Sequence, residues 1–108
     1  MIKRTSRYHI LQVLEDNPEW NVVDLGSGTA GSCPTANVLV DKNDWSSKFP
    51  ERDFIVHDLN RLPLPFKDKQ FDFSFASHIL EHIVDPVLFL KEVVRISKSG
   101  YIEVPSPL

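Results

Sequence analysis

The chain has 108 residues, 42% of them hydrophobic and 25% charged, with a formal net charge of −3 and one cysteine. This composition suits a single globular domain spanning 1–108 with a modest core, and the mildly acidic balance argues against nonspecific nucleic-acid binding. No apolar run is long enough for a secretion signal or a membrane span, and a lone cysteine closes no internal disulfide, so a reducing cytoplasm is the simplest setting.

Lys3, Arg4 and Arg7 form a small basic cluster that reads as a solvated helix face. From Ser6 to Glu15, Ile10, Leu11, Val13 and Leu14 recur at helical spacing, and Asn17-Pro18 stops them, which predicts a short amphipathic helix. Asn21 to Leu25 is a β-branched run ending in Asp-Leu-Gly, the passage from a strand into a glycine turn. Further buried strands are predicted at Val38–Val40, Phe54–His57, Phe71–Ala76 and Tyr101–Val104. These runs are apolar without polar alternation, as in parallel strands covered on both faces. Prolines in Leu62-Pro63-Leu64-Pro65 make the stretch before the fourth strand a loop. After that strand, residues 76–86 predict a short helical turn. Asp85 can then cap a helix with Pro86 in its first turn and an apolar face of Leu88, Phe89, Val93, Val94 and Ile96. Ser99-Gly100 reads as the end of that helix. Strands alternating with helical or loop crossovers predict a doubly wound α/β sheet whose ligand sits at the carboxyl ends of the central strands.

Gly26, Gly28 and Gly31 form a literal G-x-G-x-x-G. Glycine serves where the backbone turns sharply or must lie against a ligand. A dinucleotide site also needs a helix N-terminus after the glycines, because its amides stabilise the pyrophosphate. Only Ser32 to Asn37 separate Gly31 from the next strand, with Pro34 among them, which leaves room for about one irregular turn. The crossover helix is therefore shortened, and an NAD-type diphosphate loses its main partner. A ligand with adenosine but no phosphate does not miss it. Asp41, at the end of the second strand, can accept from both hydroxyls of an adenosine ribose, and its side chain is expected to point into the cleft.

The segments "VVDLGSG", "VLVD", "HDLNRLPLPFKDKQFDFSFASHILEH" and "DPVLFLKEVVRISKSGYIEVPSP" occur here in sequence. In order and register they resemble class I S-adenosylmethionine-dependent methyltransferases of the methyltransferase type 11 kind, from about Val22 to the C-terminus. The resemblance implies a Rossmann-like, mostly parallel sheet, S-adenosylmethionine as cofactor and methyl transfer to a small-molecule or unidentified acceptor. It places Asp24, Gly26, Ser27 and Gly28 beside the methionine part of the cofactor, Asp41 on the ribose, and Asp58 and Leu59 around the adenine. Ser77 and His78 would border the methyl-donor pocket. The family fold continues beyond the fifth strand, whereas this chain stops at Pro107-Leu108, so its C-terminal strands are missing. It reads as a fragment, a minimal form or a subunit completed by another chain.

Transfer from a sulfonium needs mainly positioning and exclusion of water. Where the acceptor must lose a proton, His78 is the first candidate base, ahead of Glu81 and His82, which also read as braces of a short helix. Cys33 reads as a small loop residue rather than a nucleophile, His57, Tyr101 and Glu103 as sheet-end or strand-face residues, and Trp20 and Trp45 as core or rim aromatics, with Trp45 within reach of an adenine. No metal is expected, and neither is a nucleic-acid or membrane partner. A fifth strand with an uncovered edge would pair with a second copy, predicting a homo-oligomer. The alternative function is a non-catalytic remnant that binds partners through that edge.

Overall fold

The computed structural model describes residues 7–31 and 33–103. Lys3 and Arg4 of the basic cluster, Ser6, Ser32, and Val104, Pro105, Pro107 and Leu108 at the far end lie outside the described residues. In chain order come α1 (Arg7–Glu15), β1 (Val22–Leu25), β2 (Val38–Asp41), a 3₁₀ turn (Ser46–Lys48), β3 (Asp53–Val56), β4 (Phe71–Ser77), a second 3₁₀ turn (Leu80–His82), α2 (Pro86–Ile96) and β5 (Ser97–Glu103). All strand pairs are parallel and the spatial order is β3-β2-β1-β4-β5. The chain runs outward from β1 to β3 and then returns to the other side of β1. The resulting switch point between β1 and β4 is where an open parallel sheet binds ligands.

The expected covering of both faces is present. On one face α2 lays Phe89, Val93 and Ile96 against Val23, Leu25 and Val40, and on the other Leu14 of α1 packs with Val22, Leu39, Phe73 and Phe75. Each fully buried side chain of this size contributes about 1.5–3 kcal/mol. Among the described residues no helix joins β1 to β2, as the short spacing predicts. Its place against the sheet is taken by Cys33 and Ala36 of the loop, with Phe49 from beyond β2 beside them. Asn37 closes the lower end of this connection, its side-chain oxygen accepting from the Val22 amide at 2.7 Å.

The start of α2 follows the sequence closely. Asp85 caps it by accepting from the Leu88 amide at 3.1 Å, with Pro86 in the first turn. Its apolar face is narrower than expected. Leu88 and Val94 are 49% and 66% exposed, because only the stripe of Phe89, Val93 and Ile96 meets the sheet. The helix also stops earlier, at Ile96, and passes into β5 without a loop. Ser99 and Gly100 are strand residues paired with Phe73 and Ser74. Lys69 ends the helix instead, its Nζ donating to the carbonyls of Val94 (2.6 Å) and Ser97 (3.0 Å), where a cation also meets the negative end of the helix dipole.

The proline-rich loop before β4 is tied down by Arg95. Its guanidinium donates to Glu92 (2.7 Å), Asp68 (2.9 Å) and the carbonyls of Phe66 (2.8 Å) and Leu64 (3.1 Å). Glu92 completes the tie by accepting from the Leu64 amide at 2.7 Å. The Arg95 side chain is 28% exposed, so these bonds are only partly screened. Arg95→Met should lower stability by about 2 kcal/mol, the scale of a charge-assisted bond whose carbonyl partners lose their donor. Urea unfolding checks this, and an unchanged midpoint would show that the loop is held by its apolar contacts alone.

Candidate functional site

Five strands ending at one edge of the sheet bring the chemistry-bearing residues together there. At the end of the central strand β1, Asp24 is fully buried. Its Oδ2 accepts from the Cys33 amide at 3.2 Å, while Oδ1 has no partner among the described residues. Burial pushes the carboxyl up to about 6, against the opposing pull of the Cys33 amide and of the Arg52 and Arg7 charges. A buried carboxylate oxygen without a donor is expensive unless a ligand supplies one.

Above Asp24 the chain turns through the glycines. The amides of Gly26 and Ser27 both donate to the Val40 carbonyl, at 2.8 and 3.0 Å, which pins the turn to β2. Gly26 and Gly28 have φ of +81° and +60°, the left-handed region that favours glycine. Their second reasons differ. A Cβ on Gly26 would lie 2.3 Å from Ile79 Cγ2, so Gly26 is a packing requirement, whereas a Cβ on Gly28 would meet nothing within 4 Å and would stand in open cleft.

Asp41 braces this loop from β2. Its Oδ2 accepts from the Gly28 amide at 2.9 Å and its Oδ1 from the Asn43 amide at 2.9 Å. Asp41 thus lines the cleft and holds the turn as well, with each oxygen keeping lone-pair capacity for further donors. Beyond β3, Asp58 Oδ1 accepts from the Asn60 amide at 2.9 Å, and the Asn60 side chain reaches across to the chain after β4, accepting from Val84 N at 2.8 Å and donating to the His82 carbonyl at 3.3 Å.

Between these elements lies a cleft of about 470 Å³. Gly26, Gly28, Asp41, Asp58, Leu59 and Trp45 line it on the β1–β3 side, and Ile79, His82 and Ile83 form the opposite wall. The size falls within the roughly 300–1,000 Å³ of small-molecule sites. Of the residues singled out from sequence, Asp24 and Ser27 are buried beneath the loop rather than lining the cleft, with Ser27 Oγ 3.3 Å from the Gly28 carbonyl. Ser77 and His78 are turned away toward β5. Ser77 Oγ donates to Glu103 Oε1 at 2.8 Å, and His78 Nε2 lies 3.2 Å from the same oxygen. Arg7, from α1, donates to both Ser77 Oγ and Glu103, and Tyr101 donates to Glu103 Oε2 at 3.1 Å.

Sequence reading passes over three features. Asn60 and Lys42, a lining residue, sit beside recognised acids and carry no spacing signal of their own. Glu103 reads as a strand-face residue, yet four side chains converge on it, and its partner Arg7 is 96 positions away. His78 and His82 stand four apart, a spacing that would align two imidazoles on an α-helix. The left-handed His78 (φ 54°) and the 3₁₀ turn after it separate them, one toward Glu103 and one onto the cleft wall. Among the described residues no three His, Cys, Asp or Glu gather as a metal site. Cys33 is buried, and burial pushes its thiol up, which keeps it un-ionised.

The comparisons with known proteins agree with this geometry. A family described as a methyltransferase domain matches residues 23–102. The chain is 37% identical over 90 residues to the demethylmenaquinone methyltransferase of Paenarthrobacter aurescens, a match covering 73% of this chain and 35% of that protein. It is 29% identical over 107 residues to the ajmaline N-methyltransferase of Rauvolfia serpentina, covering 79% and 36%. Among solved structures, a SAM-dependent methyltransferase from Thermotoga maritima, described as a possible histamine N-methyltransferase, superposes with a TM-score of 0.65 at 26% identity, covering 85% of this chain and 47% of that one. The chain thus spans about a third of the length of the curated relatives it matches. With the matched stretch running from the middle of β1 nearly to the end of β5, the chain belongs to the methyltransferase domain family.

Proposed function

We propose that the chain is the cofactor-binding core of an S-adenosylmethionine-dependent methyltransferase that passes a methyl group to an acceptor. The observation that carries this reading is the unpartnered, buried Oδ1 of Asp24 beneath a glycine turn that opens onto a cleft lined by Asp41 and Asp58. A cationic, phosphate-free ligand suits that set. An ammonium reaching beneath the turn would give Asp24 its missing donor, whereas a diphosphate in the cleft would face the Asp41 and Asp58 carboxylates and no helix N-terminus.

In this reading Asp24 holds the α-ammonium of the cofactor, and Gly26 and Gly28 leave room for its methionine part, with Ser27 shaping the turn. Asp41 accepts from the ribose hydroxyls, Leu59 and Trp45 give the adenine apolar contact, and Asp58 faces its exocyclic amine. The cofactor supplies a methyl group already activated on a sulfonium. The protein's share is to orient it and exclude water. The similarity to the Thermotoga maritima protein, itself described as SAM-dependent, supports the choice of cofactor.

Two finer points belong to the same proposal. β5 pairs only with β4 among the described residues, so its outer edge is open to a second copy of the chain, and light scattering at high concentration would refute this by returning a monomer. A single buried thiol supports a cytoplasmic setting, and the described residues include no helix long and apolar enough to cross a membrane.

Calorimetry with S-adenosylmethionine and S-adenosylhomocysteine tests the main proposal, and an absence of binding heat for both would overturn it. Asp24→Asn separates binding from folding. It keeps an acceptor for the Cys33 amide but removes the charge, and should weaken the cofactor by about 2 kcal/mol. The same change should raise the urea midpoint of the ligand-free protein at neutral pH. A carboxyl raised from 3.8 to about 6 on folding penalises the folded state above about 6 and ceases to do so below 3.8. The stability advantage of the Asn variant should therefore close as pH falls through that window. Over the same window cofactor affinity should decline in the parent and stay level in the variant.

Asp41→Ala should weaken the cofactor by roughly 2 to 3 kcal/mol and destabilise the free protein by about 1 kcal/mol, because the Gly28 and Asn43 amides lose their acceptor. A 2′-deoxy analogue should lose less affinity with Asp41→Ala than with the parent. Equal losses would show that Asp41 acts on the loop and not on the ribose.

A further inference from the structure

The two walls of the cleft meet in two places. At the floor the contact is apolar: Leu59 and Ile79 are both buried, and a Cβ on Gly26 would lie 3.8 Å from Leu59 Cδ1 and 2.3 Å from Ile79 Cγ2. At the rim one polar side chain spans the gap. Asn60 Oδ1 accepts from the Val84 amide at 2.8 Å, and Asn60 Nδ2 donates to the His82 carbonyl at 3.3 Å. Among the described residues no other hydrogen bond crosses from residues 79–84 to the opposite wall.

The two sides of this clasp are unequally held. Asn60 stands on a tight turn in which Asp58 Oδ1 accepts from the Asn60 amide and the Asp58 carbonyl from the Arg61 amide, both at 2.9 Å, with buried Leu59 beside it. Residues 80–84 are lightly packed. None of them is buried, only Leu80 and Ile83 reach the core, and the turn they form is closed by local bonds from the His82 amide to Ile79 and the Ile83 amide to Leu80. The clasp fits the amide chemically. Ile83 is extended (φ −92°, ψ 126°), which turns the carbonyl before it and the amide after it to one side. A carboxamide matches that pair with one donor and one acceptor, whereas a carboxylate has acceptors only and would face the His82 carbonyl unpaired.

We propose that Asn60 is a positioning residue for the cofactor, fixing the width of the cleft by clasping residues 82–84 to the turn that carries Asp58 and Leu59. The inference rests on the S-adenosylmethionine reading above. Both bonds of the clasp are exposed to solvent, where neutral hydrogen bonds contribute little net free energy, so the strap exchanges between clasped and open forms. The clasped form binds the ligand more tightly. By linkage, a bound ligand favours the clasp by the same factor.

That reciprocity supplies the test. Affinity for S-adenosylhomocysteine, measured by calorimetry, should fall roughly 5- to 10-fold in both Asn60→Ala and Asn60→Asp, the scale of one or two neutral hydrogen bonds, with the urea midpoint of the ligand-free protein almost unchanged. Asp adds a charge that Ala does not, so a shared loss is assigned to the clasp. Hydrogen exchange at the Val84 amide reads the clasp directly, because Val84 is 86% exposed and its amide donates to Asn60. Saturating S-adenosylhomocysteine should slow that exchange in the parent by the same roughly 5- to 10-fold and leave it unaltered in Asn60→Ala. Failure of the parent to bind S-adenosylhomocysteine would remove the cofactor reading and this inference with it. If the parent binds, any one of three results overturns the inference alone: variants that bind within about twofold of the parent, a Val84 amide no better protected with ligand than without, or a loss of affinity matched by a drop in the urea midpoint.

Discussion

A carboxyl group buried at the end of the central strand is the constraint around which this molecule is arranged. Asp24 belongs to a strand whose four residues are all buried, and one of its two oxygens has no donor among the described residues. Apolar side chains of that shape would be better for folding alone, because desolvation works against the ionised form. The surrounding structure accommodates the acid in two ways. The Cys33 amide is folded back onto it, and the positive charges of Arg52 and Arg7 are placed near enough to favour ionisation. Arg52 also donates to the Cys33 carbonyl at 3.2 Å, so the loop that satisfies Asp24 is held from a second direction. The remaining deficit is one buried carboxylate oxygen without a donor among the described residues.

That requirement explains why a loop can replace the crossover helix between β1 and β2. A helix in this position would cover the sheet face with a regular stripe and present its amides to a phosphate. Here the face is covered by small loop residues and by the neighbouring α1, and the amides that matter are directed individually. Those of Gly26 and Ser27 go to Val40 O, that of Gly28 to Asp41, and that of Cys33 to Asp24. These four donors are thus already assigned to the protein's own acceptors. The open acceptors are carboxylate oxygens, which is the reverse of a phosphate cradle and the basis for expecting a cationic ligand.

The parts of this arrangement legible in the sequence are those written in local pattern. The buried strands show as apolar runs, the cap of α2 as Asp85-Pro86, the absence of a crossover helix as a short spacing broken by Pro34, and the cleft acids as residues ending strands. Boundaries set by tertiary contact are not legible in this way. Ser99-Gly100 has the composition of a helix stop, but Lys69, brought in from the loop before β4, terminates α2 three residues earlier, at Ile96. Leu88 and Val94 fit the helical period, yet nothing in the period says how wide a stripe the sheet will cover. Long-range polar contacts are hidden for the same reason. Neither Arg7 nor Glu103 carries a local signal, and their meeting depends on where α1 lands relative to the end of β5.

The two halves of the sheet edge are electrostatically distinct, and the difference follows from where the cations go. Acids stand at or just beyond the ends of β1, β2, β3 and β5, as Asp24, Asp41, Asp58 and Glu103. On the β1–β3 side the acids are met mainly by backbone amides, which leave their charge intact, and Lys42 is the one Lys or Arg among the residues lining the cleft. On the β5 side Glu103 is directly paired with Arg7. The cleft therefore keeps an acidic potential suited to a cationic ligand, while at the neighbouring corner the carboxylate of Glu103 is met by Arg7. In an edge built this way, a positively charged ligand would be drawn to the side of the switch point where the acids keep their charge.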